Sequence, residues 1–190
     1  PPQQGYGQPG YPPQQGYPPQ QQGANVTVVH TQPQHQPQSG GTTVTVVHTG
    51  PVRATNLGKQ WHHGNIILLQ NLGSRKNLRI NKQGYVDGLG GEGQWAQFMV
   101  ERVGADRVKL RNMGHNNYLR VHNPHQIDHG PGGPHCEFYV VKQGHKTYSL
   151  ESVAHPGCHV GIHDNGSAKQ PGQTGTGKHA QFNVVVHRRA

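Results

Sequence analysis

Between residues 57 and 190 the hydrophobic positions fall in short alternating runs separated by Gly, Asn, Pro and His, and nowhere do they keep a helical period. The pattern predicts strands and turns. One run returns twice: WAQFMVE at 95–101, HCEFYVV at 135–141 and HAQFNVVV at 179–186 each place Phe at the same point. Other positions recur with it. Leu78, Leu119 and Val160 are spaced by 41 and 41, as are Ile80, Val121 and Ile162, while Leu69, Leu110 and Leu150 are spaced by 41 and 40. Four columns sharing one period mean that one supersecondary unit is built three times.

Each copy holds about four predicted strands, for example VKLRN (108–112), NYLRV (117–121), a weaker run and QFMVE (97–101). Three such copies are few for a solenoid or a propeller. About twelve short strands in three equivalent units favour a closed β structure, which leaves no exposed edge. The expected fold is all-β: a pseudo-threefold β-trefoil over 57–190, with Phe98, Phe138 and Phe182 pointing into a shared core layer.

Upstream the pattern disappears. Residues 1–23, PPQQGYGQPGYPPQQGYPPQQQG, offer nothing apolar to bury beyond Tyr6, Tyr11 and Tyr17, and Pro and Gly oppose regular structure, so a disordered tail is expected. Residues 24–56 read as a linker with strand tendency. VTVVHT occurs at 26–31 and again at 44–49, around QPQHQPQSGG, and a lone two-stranded hairpin is marginal in water. Asn25 and Asn165 begin glycosylation-acceptor triplets, relevant only in a secreted chain.

Charge changes the picture next. The first charged residue is Arg53, so all 17 Lys and Arg, all 8 Asp and Glu and the net +9 belong to residues 53–190. A basic domain behind an uncharged tail favours anionic partners: sulfated glycan or another polyanion, actin, or an acidic membrane surface. No apolar run is long enough for a transmembrane segment and no signal peptide is seen, which makes a cytoplasmic or unconventionally secreted protein the expectation. Two cysteines, Cys136 and Cys158, do not make a disulfide framework, and a monomer is expected.

Histidine is the other excess, with 16 residues. His115, His122, His125, His129, His135, His145, His155, His159 and His163 crowd into 115–163, mostly in predicted turns. Histidine titrates near pH 6.5, so such a cluster gains positive charge on acidification. His115, His122, His125, His129, His155, His159 and His163 are the pH-responsive candidates. The spacings His122-x-x-His125 and His159-x-x-x-His163 are open enough for a metal, but zinc sites use tighter sets with Cys or carboxylate partners, and neither a metal nor any other cofactor is expected. The eight acids are scattered and Cys136 sits on a predicted core strand, so no catalytic constellation is assigned and the chain is read as a non-enzymatic binding protein. Gly172–Lys178 resembles a phosphate loop only superficially, lacking Ser or Thr after the Lys. The Gln-x-Trp element of lectin trefoils has only a relic in Gln94-Trp95, which the other copies do not repeat.

The stretches LRINKQGYVDG (78–88), HCEFYVV with TYSLES (147–152), and HVGIHDNGSAKQPGQTGTGKHAQF (159–182) resemble, in this order, segments of the fibroblast growth factor family and its interleukin-type cousins. The resemblance covers residues 66–186. It implies a growth-factor-like ligand of heparan-type glycan, with a cell-surface receptor as a further partner. Carried onto this chain, the glycan-binding positions are Asn71, Lys169, Gln173, Lys178 and His179, with Ala180 contributing backbone, and Tyr148 matches the family's receptor-contact Tyr. Asp164 stands within the otherwise basic loop. The histidine-rich turns are also similar to those of the hisactophilins, a trefoil family implying an intracellular, pH-sensitive binder of actin or acidic membranes. A sugar-binding lectin trefoil is the third alternative.

Overall fold

The computed structural model describes residues 57–190 and, upstream, only the backbone of two short strands, β1 (Val26–Thr27) and β2 (Val47–His48). These pair antiparallel with Val26 opposite His48 and Thr27 opposite Val47, one from each copy of VTVVHT. The expected tail at 1–23 and the rest of the expected linker at 24–56 lie outside the described residues.

The domain has ten strands: β3 (Ile66–Asn71), β4 (Asn77–Ile80), β5 (Val86–Gly90), β6 (Phe98–Arg102), β7 (Arg107–Asn112), β8 (Tyr118–Asn123), β9 (Gln126–Gly130), β10 (Phe138–Gly144), β11 (Thr147–Ser152) and β12 (Phe182–Arg188). All pairing is antiparallel. β3 pairs β12, β12 pairs β11, β11 pairs β10, β10 pairs β7, β7 pairs β6, and β6 returns to β3. That ring is a closed six-stranded barrel, and closure leaves its strands without a free edge. The other four strands form two hairpins, β4–β5 and β8–β9, each joined by a single residue pair to β3 or β7.

The β-trefoil of about twelve strands expected from the repeat is therefore corrected. The domain is a closed six-stranded antiparallel barrel with four additional strands. The third copy of the unit supplies no hairpin of strands. Where β4–β5 and β8–β9 stand in the first two, residues 159–168 make only the isolated bridges Glu151–His159 and Ile162–Ala168, with Ser167 bridging to Asp87. The cause is local. Val86 and Ile127 are the core-facing apolar residues of the returning strands in copies one and two, and the position one period later is Ala168. The chain beyond it, KQPGQTGTGK, has no alternating apolar set and carries Pro171.

The four repeated columns all face inward. Phe98, Phe138 and Phe182 are fully buried, and Leu69, Leu110, Leu150, Leu78, Leu119, Val160, Ile80, Val121 and Ile162 are buried with them in one core cluster. Trp61 plugs this core from a short 3-10 turn, Lys59–Trp61, and its ring meets Tyr148 edge-on at 5.5 Å. Among the described residues no helix is long and apolar enough to cross a membrane.

Candidate functional site

The site is built on the differences between the three copies. In the first, Arg79 Nε donates to Asp87 Oδ1 at 2.7 Å across the β4–β5 hairpin. In the second, Arg120 makes a two-pronged pair with Asp128 across β8–β9, at 2.7 and 2.8 Å. One period further on, the corresponding residues are Gly161 and Lys169. Lys169 keeps a backbone link, its N–H donating to Gly161 O at 2.9 Å, but the charge pair is gone. The third copy is thus an open loop whose cation has no ion-pair partner among the described residues.

Local signals fold that loop. Asn165 Oδ1 accepts from Ser167 N and Oγ, forming a turn that Gly166 completes at φ +88°. Pro171 starts a 3-10 turn (Pro171–Gln173) and buried Thr174 anchors it by donating from Oγ1 to Gln170 O at 2.8 Å. A second 3-10 turn, Lys178–Ala180, follows Gly177 and is closed by Ala180 N donating to Gly177 O at 2.8 Å. Lys169, Thr174, Gly175, Gly177, Lys178, His179 and Ala180 line an open cleft of about 280 Å³. The N–H groups of Gly175 and Gly177 donate to no protein acceptor among the described residues.

Asp164 supplies the opposing charge. It accepts from Lys178 Nζ at 2.9 Å and from His179 Nε2 at 3.1 Å. The Lys178 hydrogen bond, above all, holds its carboxyl below the usual carboxylate range, with His179 adding to the effect.

The residues assigned from the sequence separate into those on this loop and those elsewhere. Lys169, Lys178, His179 and Ala180 come together on the cleft. Gln173 is exposed in the neighbouring 3-10 turn. Asn71 is fully buried behind the loop: Nδ2 donates to His179 O at 2.8 Å and Gln181 O at 3.3 Å, while Oδ1 accepts from Gly73 N and Ser74 N at 2.9 and 3.0 Å. Its side chain is spent on holding the backbone. Tyr148 is also buried, its hydroxyl bonded to Gln60 Nε2 and its ring against Trp61.

The histidines sort by copy as well. Three 3-10 turns precede the three core phenylalanines: Gln94–Ala96, Pro134–Cys136 and Lys178–Ala180. Their middle residues, Trp95, His135 and His179, occupy one equivalent place. Trp95 packs on His115 at 4.8 Å, which stacks on His129 at 5.0 Å and 18°. His135 packs on His155 at 5.0 Å, with Nδ1 and Nε2 3.1 Å apart. His179 has His163 at 6.0 Å. Burial, reinforced by the adjoining His115, pushes the His129 imidazole below its ordinary pKa. His122 and His125 are exposed, His159 is buried with Nδ1 near Gly157 O and Thr174 O, and His145 is exposed at the β10–β11 turn. Among the described residues no three His, Cys, Asp or Glu side chains converge as a metal-ligand set. Cys136 and Cys158 are free thiols, buried, and raised in pKa chiefly by that burial.

Sequence reading missed two determinants. The Arg79–Asp87 and Arg120–Asp128 pairs, and their replacement by Gly161 and Lys169, sit in plain sight at the 41-residue period, a signal that only the apolar columns were made to yield. Trp95, His135 and His179 likewise form a column, each three residues before a core Phe. No protein-family model matches the chain, and no curated protein matches it.

Proposed function

We propose that this chain is a non-enzymatic polyanion-binding protein whose 159–181 loop takes a sulfated glycan of heparan type. One observation carries the reading: the third copy exchanges the Arg–Asp pair of the other two for Lys169 alone, and places it on an open cleft with Lys178 and His179. Sulfate groups are recognised by lysine charge and by backbone N–H groups of a glycine-rich turn, and Gly175 and Gly177 offer such groups. The likeness of 78–88 and 159–182 to growth-factor segments supports the same reading. A receptor contact finds no such support, since Tyr148 faces the core.

Asp164 sets the strength of the interaction by occupying Lys178 and His179. Heparin-column retention tests this. Wild type elutes with moderate salt, Lys169→Ala/Lys178→Ala elutes earlier, and Asp164→Ala elutes later than wild type because its two partners are released. Absence of retention even at low salt, or an Asp164→Ala elution equal to wild type, defeats the proposal.

A further inference from the structure

A second concavity of the domain lies away from the loop. Lys59, Gln60, His62, Asn65, His145, Lys146, Arg189, Ala190 and the run Asn183–Val186 surround a cleft of about 900 Å³. Three separate segments meet there: the 3-10 turn before β3, the turn between β10 and β11, and β12 with the residues after it.

Its chemistry is one-sided. Lys59, His62, His145, Lys146 and Arg189 are all exposed, no Asp or Glu side chain lines the cleft, and none of the five side chains has an ion-pair partner among the described residues. Elsewhere on the domain, acids meet bases: Asp87 with Arg79, Asp128 with Arg120, Glu137 with Arg107 and Lys109, Asp164 with Lys178. The same cleft has an apolar lining, Val184, Val185 and Val186, with Val185 half exposed. Gathering Lys59, Lys146 and Arg189 without an Asp or Glu side chain among them favours an anion that completes the set.

We infer that this cleft is a second site, which binds a small soluble phosphate ester bearing an apolar body. Phosphate oxygens answer Lys59, Lys146 and Arg189, and the apolar body lies on exposed Val185 beside half-buried Val184 and Val186, while buried Asn65 holds the wall together by donating to Lys59 O and Gln60 O and accepting from Ala190 N. The volume falls within the range of small-molecule pockets, which are concave and join apolar lining to a few polar groups. A bilayer is the poorer match: Val185 is the only large apolar side chain exposed in this cleft, and one valine gives little to insert. The inference does not rest on the glycan reading, because the two clefts share no lining residue.

The test uses the full chain, with ATP as probe for its phosphates and flat apolar base, and adenosine and acidic phospholipid vesicles as comparisons. Binding is followed by amide chemical shifts and by calorimetry at about physiological salt. Saturable ATP binding is expected, with shifts confined to residues 59–65, 145–146 and 183–190, and none with adenosine. Each of Lys59→Ala, Lys146→Ala and Arg189→Ala weakens it about fivefold, and the triple variant roughly 100-fold. These side chains are exposed and unpaired, so an unchanged unfolding temperature shows that the variants fold. The loop variant Lys169→Ala/Lys178→Ala retains ATP binding while losing heparin retention. Failure of ATP to saturate at millimolar concentration, survival of binding in the triple variant, equal loss in the loop variant, or binding of vesicles without ATP each overturns the inference.

Discussion

Replacing Asn71 by Ala separates a scaffold role from a ligand role. Asn71 is fully buried and makes four hydrogen bonds, two donated to His179 O and Gln181 O and two accepted from Gly73 N and Ser74 N. Both carbonyls have second donors, Ile162 N for His179 O and Leu72 N for Gln181 O, so their loss is partial. The amides of Gly73 and Ser74 have no such reserve. With about 1 kcal/mol net for each bond made and 1–3 kcal/mol for a buried group left unpaired, the substitution costs about 3 kcal/mol. With a urea slope of about 2 kcal/mol/M the unfolding midpoint falls by about 1.5 M. An internal control exists. Asn112 repeats the arrangement one copy later, donating to Trp95 O at 2.8 Å and accepting from Gly114 N and His115 N at 3.1 Å each. Asn112→Ala should cost a similar amount, although Asn112 is nowhere near the loop cleft. Urea unfolding followed by tryptophan fluorescence measures both, and heparin elution is then read on the folded protein. Asn71→Ala should elute where wild type does. Near-native stability of Asn71→Ala together with elution as early as Lys169→Ala/Lys178→Ala would make Asn71 a glycan ligand and refute the scaffold argument.

Two further outcomes follow from the core and from the histidine stack. Phe98→Ala, Phe138→Ala and Phe182→Ala should each cost about 3–5 kcal/mol in urea unfolding, because all three are fully buried in one cluster, and a cost below 1 kcal/mol at any of them would break the equivalence of the copies. His129 has a pKa lowered in the fold, first by burial and then by His115. For a base so depressed the unfolded chain binds the proton more readily. Its contribution to stability is therefore fully present above the unfolded value of about 6.5 and is lost as pH falls through that value toward the lower folded pKa. An imidazole NMR titration should show His129 titrating below 6.5 and moving upward in His115→Ala, and a midpoint unmoved by that substitution would remove His115 as a cause.

The core positions were legible, though not the barrel, because the core residues repeat in kind as well as in place. Phe at 98, 138 and 182 and Leu or Val at 78, 119 and 160 are buried in every copy, and a period kept by large apolar side chains is a statement about the core. Strand count was not legible from those columns. Val160 and Ile162 are as buried as their counterparts on β4 and β8, since the core layer needs them whether or not a strand forms around them. What decides the hairpin is the returning segment, where Ala168 replaces Val86 and Ile127 and Pro171 follows. The columns report which side chains fill the interior, and the backbone pairing outside it answers to other residues.

The positions expected on the 159–181 loop were legible only where charge, and not burial, decides. Lys169 and Lys178 could be placed on a surface loop from the surrounding Gly, Gln and Thr, and they are there. Asn71 and Tyr148 were drawn from resemblance, and their polar atoms serve the interior instead. An amide side chain carries two donors and an acceptor with two lone pairs. It can therefore hold two chain segments at once, as Asn71 joins the turn at 73–74 to the strand entry at 179–181. Ser152 occupies the corresponding place in the third copy and accepts from His155 N at 3.2 Å. A hydroxyl has no pair of N–H groups to span the gap, so this copy lacks the double clamp. The clamp that is missing at Ser152 is not the one beneath the cations, because Asn71 of the first copy fixes the turn carrying Lys178 and His179. Rigidity is kept beneath the cations while the strand pairing above them is relaxed, which is the arrangement that presents charge on a loop without loosening the barrel that carries it.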